Sequence, residues 1–471
     1  MTEYHTETDS MGDVRVPKDA YYGAQTQRAV ENFPVSGQRM LRYFIAAKAH
    51  LKSACAEVNC ALKPQRMTPE LCKSVQEACA RVAEGDLDEH FPIDVFQTGS
   101  GTSTNMNAKE VIANLCNEKA GGRRGVYTPV HPNDHVNMGQ SSNDIIPTAS
   151  HLSALLAIHR DLEPALTQLA SALEKKAQQF DGIIKLGRTH LMDALPVRMG
   201  QEFGGYATQV RKGWEQIERV SKGLEELAIG GTAVGTGINS HPEFARRVCA
   251  MLERTLGVSV REARNHFEAQ GGRDDIAMTS GAPKGLACSV TKIANDIRWM
   301  GSGPFGGLGE LRIPDLQPGS SMMPGKVNPV MCEMLAQIAA QVIGNDATIA
   351  VGAMSGSFEL NAMIPVMITN LLQSIAVLSN GSRLFATRCV DGLEADPEKC
   401  AQLLEKSPIS ATVLNPIIGH DRAAKLIKEA LEKKASVKQL AIEHGMITKK
   451  QADRAFNFRK MTEPGETLGD G

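Results

Sequence analysis

The sequence predicts a mainly α-helical fold of two or three domains built around a long central helix bundle. Three observations predict it. At 471 residues the chain is longer than one simple core accommodates. Aromatic residues make up only 4% while Ala, Leu and Met abound, and Ala and Leu favour helices over strands. Apolar residues also recur at three-and-four spacing in several windows. An apolar share of 42% is enough to bury a large interior, and 22% charged residues is ordinary for a globular chain.

The opening stretch, MTEYHTETDSMGD, is acidic and has no apolar run, so it reads neither as a signal peptide nor as an Arg-rich transit peptide. A cytoplasmic location is expected, with a processed mitochondrial form as the other origin. A short strand is expected at Val14–Val16 and another at Val258–Val260. Thr68 followed by Pro69 fits a helix cap with a first-turn proline. Leu162, Leu166, Leu169, Leu173 and Phe180 share one helical face, and Trp214, Ile217, Val220, Leu224 and Leu227 share another. Phe267–Asp275, FEAQGGRDD, places glycines among helix formers, so helix ends are expected there.

Leu360–Ser382 carries no charge and has the length of a membrane span. Its Asn361, Pro365, Thr369, Asn370, Gln373, Ser374 and Asn380 would be costly in lipid, so it reads as a helix surrounded by other helices. A helix buried on all sides needs neighbours, and an oligomer is expected. Ser436 with Gln439 and Thr448 with Gln451 read as capping boxes, and Gly445 stops the helix between them. The tail TEPGETLGDG is polar and is expected to be loose. The expected division is a mostly helical N-terminal domain over 1–140, a central long-helix bundle over 141–395 and a small helical domain over 396–471.

A formal net charge of −2 points to no nucleic-acid or membrane-surface partner, so any positive potential must be local. The ten cysteines form no CxxC pair or ligand-like cluster, and Cys72 and Cys79 fall on a helical pattern. Reduced thiols are expected, without disulfides or a zinc site.

Several polar stretches interrupt the helical background. Thr98–Asn105, TGSGTSTN, crowds hydroxyls before a helix expected at Asn107–Cys116, an arrangement that suits either a carboxylate site or an ordinary cap. His131 and His135 stand four apart, but Pro132 argues against a helical metal pair. Gln140-Ser141-Ser142-Asn143 supplies four adjacent hydrogen-bonding side chains, for a polar ligand or for a capped turn. Gly187-Arg188-Thr189-His190 lies before an expected Leu-rich helix. Gly301–Pro329 is a loop of 29 residues with seven glycines and five prolines, ending in GSSMMPGKVNP. So long a loop with fixed prolines reads as an active-site lid. Within it, Gly301–Gly306 matches GxGxxG but follows a charged helical segment rather than a strand, so no dinucleotide site is expected.

GSSMMPGKVNP matches G-S-S-x-M-P-x-K-x-N, the signature of the fumarase/aspartase superfamily. YYGAQTQRAVENF, TGSGTSTNMN, HPNDHVN, QSSND, GRTHLMDA and GGTAVGTG fall in that family's order, from about Val14 to Pro464. Within the superfamily the chain resembles the class II fumarate hydratases. The resemblance implies a homotetramer with a twenty-helix core, whose active sites are each shared by three subunits. It implies no metal or organic cofactor, and the interconversion of fumarate and L-malate in the tricarboxylic acid cycle. It further implies Ser320 as the C3 base and His190, through a water, as the acid, with Glu333 orienting the imidazole. Lys326 and Asn328 complete the catalytic group. Ser100, Gly101, Thr102, Ser141, Ser142, Asn143, Thr189, Ser321 and Val327 would join Lys326 and Asn328 in binding substrate. His131, Asn133 and Asp134 match a second anion site of the family.

The chemistry asks for such residues. A C–H beside a carboxylate is weakly acidic, and its removal gives a doubly charged aci-carboxylate that needs preorganised donors. Serine is a poor base unless positive charge and loop amides favour its alkoxide. The rival on the same scaffold is an aspartate ammonia-lyase. Gln140-Ser141-Ser142-Asn143, with Ser where aspartases tend to carry Thr, His131 in HPND and the SGSFELN run at Ser355–Asn361 favour the hydratase. A non-catalytic structural protein on this fold is opposed by the intact Ser320, Lys326, Asn328, His190 and Glu333.

Overall fold

The computed structural model describes residues 3–465, and the end of the polar tail, 466–471, lies outside the described residues. Helices dominate, as expected. The longest are Arg42–Leu62, Met199–Ser221, Asp274–Met300, Val330–Ala353 and Ile364–Arg388. Strands among the described residues occur only in two-stranded pairs. Contacts gather the chain into two compact units.

The first unit takes residues up to Pro164, Gly213–Ala287 and Ile338–Ser379. Its centre is the helix Arg42–Leu62, packed against Pro69–Glu84, Ser142–Ala157 and Phe244–Leu256. Leu51, Cys55, Ile145, Leu152 and Leu252 are fully or almost fully buried there. Thr68 caps its helix by accepting the Leu71 N–H at 3.4 Å, with Pro69 in the first turn. Gly85 closes that helix at φ +100°, a left-handed position suited to glycine.

Val14 and Val16 do lie in a strand, Gly12–Pro17, paired antiparallel with Tyr4–Asp9. The second strand falls one residue beyond Val258–Val260, at Arg261–Glu262, where Glu226–Leu227 offers a parallel partner. The helix containing Trp214 stops at Ser221, so Leu224 and Leu227 are buried from a tight turn and a strand instead. The glycines of FEAQGG end the helix His266–Gly271, and a new helix begins at Asp274.

The second unit takes Ala165–Lys212, Cys288–Gln337 and the chain from Asn380 onward. Here the Leu-rich segment after His190 is not a helix. Met192–Arg198 is a strand, paired antiparallel with Ile184–Thr189, and the helix starts only at Met199. Leu191 and Leu195, four apart, imitate a helical face, and the strand's burial shows no strict alternation that would signal it. Phe180 lies past the end of its expected helix and meets Phe203 edge-on at 5.2 Å. Near the C-terminus, Thr448 and Gln451 form the reciprocal capping box, whereas Ser436 only accepts the Gln439 N–H.

The uncharged helix is Ile364–Arg388, long and apolar enough by length and composition to cross a membrane, with 67% of its apolar window buried within the chain itself. Its own chain supplies much of the cover that other subunits were expected to provide. Val330–Ala353 is the less covered helix: Cys332, Leu335, Ala339, Val342 and Ile349 form a buried stripe, while Ile343 is 44% and Val351 57% exposed.

Candidate active site

In the first unit the turn Thr98–Gly101 delivers the chain into the helix Thr102–Lys119. The helix starts five residues earlier than expected, so Thr102, Ser103, Thr104 and Asn105 belong to its first turns and do not precede it. Gly101, at φ +72°, has no side chain to cap the helix, and the Thr104 amide is taken by Gln97 Oε1 at 3.0 Å. Ser100 and Thr102 share a hydroxyl–hydroxyl bond of 2.8 Å at this N-terminus, whose free amides and dipole favour an anion.

Ser141 begins the next helix with a full capping box: its hydroxyl accepts the Asn143 N–H, and Asp144 accepts the Ser141 N–H at 2.8 Å. The capped-turn reading of this motif therefore holds. The second Asp144 oxygen accepts from the amides of Gly230 and Thr232, and Asn143 donates to Ala233 O at 2.8 Å. The GGTAVGTG loop is thus tied to the QSSND turn. Burial pushes the Asp144 carboxyl up to about 6 against these stabilising amides.

Beneath these loops lie three buried lysines that the sequence reading did not single out. Lys52 Nζ donates to Asn137 Oδ1 at 2.7 Å and Gln140 Oε1 at 2.9 Å. Lys109 Nζ donates to Asn133 Oδ1 at 2.7 Å, and Lys48 Nζ to the Thr104 carbonyl. Asn105 Nδ2 completes the lattice, donating to Ser142 Oγ at 3.0 Å and to Asn137 Oδ1. Burial, then repulsion by Lys109, draws Lys52 down to about 7. Burial brings Lys109 to about 8. Lys48 is held well below its ordinary range by burial and by the other two. These three amines are basic groups whose charge burial suppresses, a cluster beneath the loops of which the near-zero net charge gave no hint. Its signal was available: Lys48 and Lys52 stand four apart on a helix whose neighbours Phe44, Ile45, Leu51 and Cys55 are apolar.

His131, Asn133 and Asp134 come together in one turn above Lys109. His131 Nδ1 accepts from the amides of Asn133 at 3.3 Å and Asp134 at 3.2 Å, and the His131 N–H donates to His135 Nδ1. Both imidazoles are engaged with backbone.

In the second unit the 319–328 segment folds on itself. Ser320 Oγ accepts from the amides of Met322 at 3.2 Å and Met323 at 3.1 Å. Lys326 Nζ donates to Asn328 Oδ1 at 2.9 Å, and Asn328 Nδ2 to Gly319 O at 3.0 Å. Gly319 N–H closes the loop on Lys326 O at 2.7 Å, an approach a Cβ would obstruct. Ser321 and Val327 stand exposed on this loop, as does Met322, which is 88% exposed. Glu333 lies in the first turn of Val330–Ala353.

Thr189 and His190 lie at the tip of the 184–198 hairpin, both exposed. His190 and Leu191 form its two-residue turn at φ 56° and 60°, left-handed angles that glycine or asparagine would adopt more easily. Among the described residues no hydrogen bond joins His190 to Glu333 within the chain.

Known proteins resemble this chain over nearly its whole length. A family model described as "Lyase" matches residues 12–344, and "Fumarase C C-terminus" matches 411–463. A class II fumarate hydratase of Mycobacterium tuberculosis is 53% identical over 445 residues, covering 94% of this chain and 92% of the relative. One from Pseudomonas aeruginosa is 48% identical over 465 residues, covering 99% of this chain and 100% of the relative. The crystal structure of a class II fumarase from Schistosoma mansoni superposes with a TM-score of 0.94 at 37% identity, covering 98% of this chain and 100% of that one. By fold, motif order and near-complete coverage, the chain belongs to the class II fumarate hydratase family.

Proposed function

We propose that the chain catalyses the reversible anti addition of water to fumarate, giving L-malate, through an aci-carboxylate carbanion. The observation that carries this is the Ser320 hydroxyl, held by two backbone amides on the loop that Lys326 and Asn328 close. Donors fixed in that way lower the energy of a serine alkoxide, and the alkoxide takes the C3 proton. His190, through a water, gives a proton to the departing hydroxide, and Glu333 steadies the imidazolium. Lys326 and Asn328 stabilise the carbanion. Ser100, Gly101, Thr102, Ser141, Ser142, Asn143, Thr189, Ser321 and Val327 grip the carboxylates and the hydroxyl, while His131, Asn133 and Asp134 form a second anion site.

The working form is a homotetramer with each active site shared by three subunits, in the cytoplasm, with the chain divided at about residues 140 and 395. The exposed flap, the exposed hairpin tip and the uncovered face of Val330–Ala353 support that assembly. The reaction as written requires no metal or organic cofactor.

Ultraviolet absorbance of the conjugated double bond provides the test. It should rise on addition of L-malate and stay flat with L-aspartate. A rise with aspartate alone moves the chain to the ammonia-lyases. Ser320→Ala should lower kcat on the order of 10³-fold or more, with substrate binding and oligomer size kept. Near-normal turnover in that variant overturns the base assignment.

A further inference from the structure

We infer that Glu310 is a positioning residue for the reaction, clasping the hairpin that carries His190 to the root of the loop that carries Ser320. The inference rests on the proposed roles of those two residues.

Glu310 sits where the long loop leaves the helix Asp274–Met300. Its N–H donates to Met300 O at 2.8 Å, and its carbonyl accepts from Asp396 N–H at 2.9 Å. The next two residues, Leu311 and Arg312, pair with Glu394–Ala395, so the backbone here is fixed on both sides. The side chain is fully buried and points to the hairpin. Arg188 spans both of its oxygens, Nη2 to Oε1 at 2.9 Å and Nη1 to Oε2 at 3.0 Å. Lys185 adds a contact to Oε2 at 3.3 Å and a second to Glu202 at 3.0 Å.

Arg188 is two residues before His190 and lies at the register shift of the hairpin. The turn beyond it has no apolar anchor: Leu191 is 68% and Met192 70% exposed. A hollow of about 230 Å³, lined by Arg188, Leu191, Glu202 and Tyr206, runs beside the ion pair. Within the chain, packing therefore does not set the direction of the tip. A two-pronged guanidinium–carboxylate pair does, because it fixes an angle as well as a distance. Elsewhere in the hairpin, Lys185, Leu186 and Gly187 are buried, so the fold of the strand does not depend on the clasp alone. In the three-subunit reading, the two loops of one chain enter two different active sites. Each site then depends on clasps in two chains.

Two variants keep charge and shorten or blunt the clasp: Glu310→Asp and Arg188→Lys. Each should keep oligomer size and thermal midpoint near the parent's. In each, kcat for L-malate should fall by up to about a hundredfold, since a misplacement of roughly 1 Å is enough for that. KM should rise by less than about threefold: Thr189 on the hairpin and Ser321, Lys326, Val327 and Asn328 on the loop move with the clasp, while the grip of Ser100–Thr102 and Ser141–Asn143 in the first unit is untouched. The double variant should be no worse than the poorer single one, as expected for partners in one contact. Parent-like kcat in both variants overturns the inference. Failure of both to fold overturns it too, in favour of a purely structural pair, and so does a rise in KM with kcat unchanged. Ser320→Ala measured alongside separates the failures: if it retains turnover the site reading is wrong, whatever Glu310 does.

Discussion

Lys52 is an ammonium group with no exposure to water, between two amide oxygens and near a second buried lysine. Two effects compete there. Its hydrogen bonds to Asn137 and Gln140 stabilise the fold, and losing them leaves buried acceptors unsatisfied at about 1–3 kcal/mol. Charge in that position opposes folding, which is why the group is drawn down to about 7. The sign follows from proton counting. Between pH 7 and the ordinary lysine value the unfolded chain holds a proton that the folded chain lacks, so this group adds stability as pH rises. Below pH 7 both states hold the proton and the full penalty of burial remains. Lys52→Met should therefore destabilise more at pH 9 than at pH 6, read as the shift in urea midpoint. A shift equal at both values, or larger at pH 6, would show that the lysine is not held near neutrality.

At the scale of elements, the turn before the helix Thr102–Lys119 is pinned from two sides. A Cβ at Gly99 would meet the Ala362 carbonyl at 1.8 Å, and one at Gly101 would meet Ile146 at 2.8 Å in addition to a left-handed backbone. The Ile364 N–H meanwhile donates to Gly99 O at 3.0 Å. Gly99→Ala must push Ser100 away from its place, and overpacking against backbone destabilises by about 3 kcal/mol. A lowered urea midpoint together with a raised KM is the expected result, and an unchanged pair would remove the turn from the site. The sequence told where such turns lie because their chemistry is local. Thr68–Pro69 and Thr448–Gln451 carry their caps within four residues, and the glycines of FEAQGG break a helix by themselves. The 184–198 hairpin was not legible, since its strand Met192–Arg198 exists through its partner and its leucines imitate a helix. Nor were the lysines at 48 and 52 read as buried. Two charges four apart on a helix usually mean a wet face, and only their apolar neighbours argued otherwise. Glu310 lies 122 residues from Arg188 along the chain, a separation that no local pattern bridges.

At the scale of the whole molecule, the single chain leaves one long helix with an apolar face in water. The helix Val330–Ala353 buries one stripe and leaves Ile343 and Val351 in water, and Met354 just beyond it is 81% exposed. Isolated apolar side chains on a surface are ordinary, but two on one long helix, with a third at its end, make the face that the proposed tetramer would cover. A two-fold axis between copies makes the same face meet itself. Four chains of 50.7 kDa give about 203 kDa, the mass light scattering should return. Val351→Glu with Ile343→Lys places charge on the helix face without touching any residue assigned to the chemistry. These changes should lower the measured mass, while helix content by circular dichroism stays near the parent's. On the proposed three-chain site, activity should disappear with the mass. A variant that dissociates yet turns over malate at the parent's rate would confine the active site to a single chain, and a variant that stays at about 203 kDa would move the interface off this helix.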